Sequence, residues 1–284
     1  MASDSLARVK LSSADAAGGL LLSTASGWNQ TLDDWRLFIG HGDVTGLRDD
    51  TGTLVATAAA LPYAGGQGWI SMVLVRDDWR RRGLATQLLN DCVRALHMHG
   101  VTPVLDATPD GAEVYRRIGF VDGFALARWQ GQGMAGTPLA GARVRDAGSA
   151  DAATFCALDR EVTGLDRGFL LRDVLARPDT QALMRDDGAG FVLARAGVRA
   201  TQVGPLVAAS EDDALALLQA VLARVRGPVF LDVPDRWSRL TGWLQSHGFA
   251  RQRPFVRMAL TAPGVRLHAQ AHDRQFVLAG PEFG

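Results

Sequence analysis

Apolar residues along this chain alternate between strand-like runs and the three-and-four spacing of helices. The clearest switch lies at residues 70–92. Positions 70–75, Ile-Ser-Met-Val-Leu-Val, form a mostly apolar run that predicts a buried strand. Leu84, Leu88, Leu89 and Cys92 then share one face of a predicted helix. Around this switch the pattern predicts strands at 9–11, 44–48, 54–61, 101–107 and 120–129, and helices at 12–27, 33–39, 82–98 and 110–118. Asp49-Asp50-Thr51-Gly52 marks a turn between two strands, and Thr31 is placed to cap a helix. This order is that of a mixed α/β protein.

The second half follows the same outline. Strands are predicted at 191–194, 201–207, 229–233 and 255–260, with helices at 214–225 and 237–247. A Gly-Phe pair follows the last helix in both halves, at 119–120 and at 248–249. Between the halves, Gly131-Gln-Gly133-Met-Ala-Gly136 matches a dinucleotide-binding spacing, but such glycines must open a helix. Pro138 follows and disfavours helix for Thr137. The expected division is therefore a domain at 1–130, a linker at 131–141 and a second domain at 142–284.

Composition narrows the partners. The chain has 284 residues, 47% hydrophobic and 21% charged, enough for two ordinary cores. Thirty basic and thirty acidic residues cancel, so no global field favours nucleic acid or an anionic membrane. The two cysteines make no disulfide framework and fit a reducing cytoplasm. No apolar stretch approaches the roughly 20 residues of a membrane helix. Two histidines at 97 and 99, without a carboxylate or cysteine nearby in sequence, are a weak metal signal, and no metal is expected.

The chemistry is concentrated between the strand and helix at 70–92. Arg80, Arg81, Arg82 and Gly83 form a basic turn into a helix N-terminus, whose unpaired N–H groups and dipole favour an anion. The order Arg80-x-x-Gly83-x-Ala85 after Val73-Leu74-Val75 resembles the coenzyme A signature of the GNAT acetyltransferases. The resemblance extends to Tyr115-Arg-Arg-Ile-Gly119-Phe120 and to Thr108, where the family usually has asparagine. It implies two tandem GNAT-like domains, each a mixed, mostly antiparallel sheet flanked by helices.

By that resemblance Val73, Leu74 and Val75 offer backbone groups to the acetyl and pantetheine. Arg80, Arg81, Arg82, Gly83, Leu84, Ala85 and Thr86 hold the pyrophosphate, and Thr108 bonds the pantetheine arm. Tyr115 is the expected general acid, since a phenol of ordinary pKa about 10 is protonated at neutral pH. The base is not visible, Asp106 and Glu113 being near in sequence. Trp28 and Asn29 are acceptor-side candidates by the same resemblance. Asp159, Glu161, Asp166 and Arg167, a dense charged segment, read either as a solvated helix end or as an acceptor-recognition patch.

The second half has Ser210-Glu211-Asp212-Asp213 where the first has its arginines, and Leu244 where the first has Tyr115. Such a sequence caps a helix but repels a pyrophosphate. The expected protein is a cytoplasmic acetyl-CoA-dependent N-acetyltransferase of a small amine, a monomer or homodimer, with one active and one degenerate domain. The alternatives are another acyl-CoA, a hydroxyl acceptor, or a CoA sensor without turnover.

Overall fold

A computed structural model describes residues 6–136, 143–261 and 273–284. Positions 137–141 of the expected linker lie outside the described residues. By internal contact the chain divides into two compact units, Met1–Val104 and Leu105–Gly284.

The first unit is ordered β1 (Ala7–Lys10), α1 (Ala16–Ala25), α2 (Leu32–His41), β2 (Asp43–Arg48), β3 (Leu54–Tyr63), β4 (Gln67–Val75), α3 (Leu84–Met98) and the start of β5 (Thr102–Ala107). Its strands lie side by side in chain order. All neighbours are antiparallel except β4 and β5, which α3 connects in parallel. The helix expected at 12–27 is split, because Ser13–Asp15 is a tight 3₁₀ turn. Thr31 caps α2 as expected: its hydroxyl accepts from the Asp34 N–H, and the Asp34 carboxylate accepts from the Thr31 N–H at 2.9 Å. Trp35 is core. It donates to Ser23 Oγ at 3.0 Å and lies where a side chain at Gly19 would stand. Burial pushes the Cys92 thiol up to about 12, so it behaves as a small apolar side chain.

The second unit contains α4 (Pro109–Arg117), β6 (Val121–Gln132), β7 (Val144–Asp146), α5 (Ala152–Thr163), α6 (Gly168–Ala176), β8 (Gln181–Arg185), β9 (Phe191–Arg195), β10 (Thr201–Val207), α7 (Glu211–Leu222), β11 (Pro228–Pro234), α8 (Ser238–Ser246), β12 (Ala250–Ala259) and β13 (Gln275–Val277). Its strand order is β12-β6-β11-β10-β9-β8-β7, with β13 paired to β10. Helices α7 and α8 bury leucines against Ala127, Trp129 and the β9–β11 strands.

One feature of this order is invisible in the sequence. β6 ends the first repeat, yet it lies between β11 and β12, both strands of the second. It pairs with β11 along Leu126–Gln132 and with β12 along Val121–Gln130. That is why the contact boundary falls at Val104, well before the end of the first repeat. A fragment cut near residue 135 would carry β6 without either strand that completes its ladders. The two glycines at 131 and 133 serve this packing: a Cβ there would meet the Phe249 ring at 2.3 Å and the Val225 carbonyl at 2.1 Å.

Candidate functional site

The first unit carries the strand and turn singled out in the sequence. β4 pairs with β5 over Gln67–Trp69 and with β3 as far as Val75. Beyond Trp69 the β5-side edge of β4 has no further ladder among the described residues. The reason is an extra residue in β4: Thr57 faces Leu74 while Ala59 faces Ser71. Met72 takes the left-handed φ of 51° at this bulge. Its carbonyl is held by Thr57, whose buried hydroxyl donates to it at 2.9 Å.

Alternation then decides what the open edge presents. The Arg76 N–H donates to Val55 on β3, so the N–H and C=O of Val75 turn the other way, and those of Val73 with them. Arg80 Nε donates to the Val75 carbonyl at 3.2 Å, in agreement with that direction. Thr57 was not a candidate in the sequence, since only the bulge gives its hydroxyl a task. The Thr57→Val variant keeps the shape and leaves the Met72 carbonyl unpaired. We expect it to lose about 1–3 kcal/mol of stability, the usual cost of an unsatisfied buried polar group, read from urea unfolding. An unchanged midpoint would mean that the backbone alone holds the bulge.

The basic turn leads directly into the N-terminus of α3. Gly83 caps α3 with φ 78°, and a Cβ there would meet nothing within 4 Å. Arg81 also has a positive φ, 63°. The first helical acceptor bond in this turn is Gln87 N–H to Gly83, so the N–H groups of Leu84, Ala85 and Thr86 remain at the exposed helix start. Arg80 pairs with Asp77 at 2.7 Å. Arg82 lies over the Trp79 ring, 4.4 Å from its centroid, and donates to the Asp78 carbonyl at 3.3 Å. Arginine side chains, the helix-start N–H groups and open space at Gly83 therefore coincide in this turn.

In the α1–α2 loop Trp28 is half-buried and Asn29 buried. The Trp28 N–H donates to the Ser23 carbonyl at 2.9 Å. Two buried polar atoms of this unit, Gln30 Oε1 and Ser71 Oγ, find no partner among the described residues, and the sequence did not single them out.

The remaining candidates of the first repeat belong to the second unit. Thr108 caps α4, its hydroxyl oxygen accepting from the Gly111 N–H at 3.3 Å, which leaves its own proton to donate. Tyr115 lies two turns further, half-buried, with its ring 6.0 Å from that of Phe120. Gly119, at φ 99°, ends the helix, and the Phe120 N–H returns to the Tyr115 carbonyl at 3.1 Å. Both Asp106 oxygens accept from Arg257 at 2.9 Å. Burial pushes Asp106 above the usual carboxylate range, against the pull of Arg257. Glu113 is exposed on α4.

The second repeat keeps the frame and lacks the opening. β10 and β11 pair in parallel over Thr201–Val203, as β4 and β5 do over Gln67–Trp69. Beyond that point the same edge of β10 is taken by β13, with Leu206 facing Val277 and Val207 facing Gln275. The Ala208 N–H donates to Arg274 and the Leu278 N–H to the Asp232 carbonyl on β11. Gly204 is required here, because the Leu278 carbonyl lies 2.0 Å from where its Cβ would stand. Ser210 caps α7 with three acidic residues in the first turn. Leu244 is fully buried where the first repeat has Tyr115, and the Phe249 N–H returns to its carbonyl at 3.0 Å. β13 thus pairs along the stretch of edge where the first repeat has no partner strand among the described residues.

Of the charged segment, Asp159 and Arg167 are buried and satisfy each other, Arg167 Nε and Nη2 donating at 3.0 and 2.7 Å. Arg167 Nη1 also donates to the Phe283 carbonyl at 3.2 Å and to Gly284. These two residues tie down the C-terminus. Glu161 and Asp166 are at the surface, paired with Arg274 and Arg160. A second buried pair, Arg195 and Glu282 at 2.6 Å, holds the same tail.

Among the described residues no group of three His, Cys, Asp or Glu could hold a metal ion. His99 instead bonds Asp43 at 3.0 Å. Also among them, no helix is long and apolar enough to cross a membrane.

Comparisons with known proteins agree with this construction. Two family models, each described as an acetyltransferase (GNAT) domain, match residues 40–122 and 155–272. An uncharacterised N-acetyltransferase of Bacillus subtilis strain 168, YitH, is 23% identical over 246 residues, covering 85% of this chain and 86% of that protein. The crystal structure of a candidate acetyltransferase from Pyrococcus horikoshii superposes with a TM-score of 0.81 at 18% identity, covering 100% of this chain and 98% of the other. A tandem GNAT protein from the clavulanic acid biosynthesis pathway superposes with a TM-score of 0.63 at 16% identity, covering 90% and 98%. With a splayed strand and cradle in the first repeat and the same frame in the second, the chain belongs to the GNAT acetyltransferases, as a tandem of two such domains.

Proposed function

We propose that this chain is an acetyl-CoA-dependent N-acetyltransferase of a small amine, and that the first repeat, residues 1–130, carries the chemistry. The observation behind this reading is the contrast between the repeats. Beyond its bulge the β5-side edge of β4 pairs with no strand among the described residues and is followed by a basic helix start, whereas the matching β10 edge is paired with β13 and followed by an acidic one.

Acetyl-CoA supplies an activated acyl group. The N–H groups of Leu84, Ala85 and Thr86, with Arg80–Arg82, would hold its pyrophosphate. The N–H groups of Val73 and Val75 would hold the pantetheine and face the carbonyl oxygen as it gains charge. Attack by the neutral amine forms the C–N bond, and collapse breaks the C–S bond. Tyr115 would give its proton to the departing thiolate, and the proton lost by the amine leaves to solvent. The products are an amide and free CoA. Asp106 is a poor base here, since Arg257 occupies both its oxygens.

Titration calorimetry with CoA is expected to give one site per chain. Gly83→Trp, which fills the open space at the cradle, should abolish that site. Two equivalent sites, or a site that survives the substitution, would remove the first-repeat assignment. Release of free CoA from acetyl-CoA over a panel of amines separates a transferase from a protein that only binds CoA.

A further inference from the structure

The second unit carries positive charge for which acetyl transfer at β4 has no use. Ala127 and Trp129 of β6 belong to the α7–α8 core, so alternation turns Arg128 to the other face of the sheet. β12 runs beside β6 with one extra residue. Arg251 pairs with Trp129, but Arg253 and not Gln252 pairs with Arg128. Bulges of this kind re-aim a side chain. Here the bulge sets two arginines directly opposite each other, where Cβ atoms stand about 4.5–5.5 Å apart and like charges repel.

Arg128 is held in place. Its Nε and Nη2 donate to the two Asp232 oxygens at 3.0 and 2.8 Å, and its guanidinium lies 5.1 Å from the centroid of the Phe230 ring. Gln202 donates to the same carboxylate at 2.9 Å. Asp232 thus compensates one arginine, not two. Among the described residues, neither Arg128 Nη1 nor any nitrogen of the Arg253 guanidinium is engaged in a hydrogen bond or ion pair. Arg253 is partly exposed, so a small solute can reach it. Burial, and then its like-charged neighbours Arg128 and Arg199, push it below the usual arginine range. It nevertheless stays charged, because a guanidinium keeps its proton in proteins. Residues 137–142 and 262–272, the parts of this half outside the described residues, contain no aspartate or glutamate that could supply a counter-charge. Two opposed guanidinium groups with donors to spare suit an anion between them, and their planar forks match the oxygens of carboxylate and phosphate.

We propose that Arg253 and Arg128 form an anion site within the second unit, for a small ligand bearing a carboxylate or phosphate group. The site does not depend on the acetyl-transfer reading, and the experiment needs no turnover. Thermal unfolding of the intact protein is followed while inorganic phosphate, or in a second arm acetate, replaces chloride at constant ionic strength. The rise of the midpoint with concentration gives an apparent Kd by linkage. Any response of the basic turn at Arg80–Arg82 is common to wild type and variants and cancels in the comparison. Arg253→Gln should weaken the apparent Kd by about 10–100-fold, the range of a charge-assisted hydrogen bond. Arg253→Lys, which keeps the charge without the fork, should retain part of the response. Arg251→Gln, an exposed change on the Trp129 side of the same strand, should retain all of it. The arm with the larger loss in Arg253→Gln identifies the anion. Should calorimetry find no CoA site while this difference persists, the acetyl-transfer reading fails and the anion site stands. Equal midpoint shifts in wild type and Arg253→Gln for both anions, or a loss in Arg251→Gln as large as that in Arg253→Gln, would overturn it.

Discussion

Tyr115→Phe is expected to lower kcat by about 10²–10⁴-fold, the range that positioned acid–base groups supply, with little change in CoA affinity. The substitution removes only the phenol hydroxyl. The ring contact with Phe120 and the helix-ending bond from the Phe120 N–H to the Tyr115 carbonyl are both retained. Folding is therefore expected to survive, and the loss should appear in kcat rather than in the calorimetric CoA titration. The second repeat illustrates the comparison: Leu244 holds the same backbone bond from Phe249 without any hydroxyl. An unchanged single-turnover rate in Tyr115→Phe would leave the tyrosine as a packing residue and require another proton donor.

The largest loss of stability is expected from Arg167→Ala, about 3–5 kcal/mol, the cost of leaving a buried charge without its partner. Asp159 would keep its carboxylate in a site only 1% exposed, with neither of the two Arg167 bonds. The carbonyls of Phe283 and Gly284 would lose their donor at the same time. Because that tail continues from β13, proteolysis of the C-terminus should accelerate in the variant. The double variant Asp159→Leu/Arg167→Met, which removes both charges, should recover part of the loss, since an apolar pair of similar volume avoids the uncompensated ion. Equilibrium unfolding in urea measures both. A cost below about 1 kcal/mol for Arg167→Ala would mean that water replaces the arginine, and that the tail is held by β13 and by Arg195 with Glu282.

What was legible in the sequence was local. The apolar run before Arg80–Gly83 and the helical spacing from Leu84 to Cys92 set β4, the turn and α3, because period and cap residues act over a few neighbours. The Gly-Phe endings announced the two helix stops, since Gly119 and Gly248 both take left-handed φ values. The acidic cap at Ser210 and the leucine at 244 were also visible as chemistry missing from the second repeat.

What only the tertiary structure decided were pairings between residues far apart in the chain. No local signal says that β6 lies between β11 and β12, since an alternating strand fits any partner that buries its apolar face. The hydroxyl of Thr57 acquires its role only when the bulge at Met72 brings a carbonyl to it across the sheet. Asp159 and Arg167 look from the sequence like a solvated pair or a recognition patch. The fold instead buries them against a tail more than a hundred residues away, where each charge needs the other. Arg253 is one unremarkable arginine among many until register sets it opposite Arg128. Like charge at contact distance is a property of the ladder, and the sequence states composition and period but not which strands become neighbours.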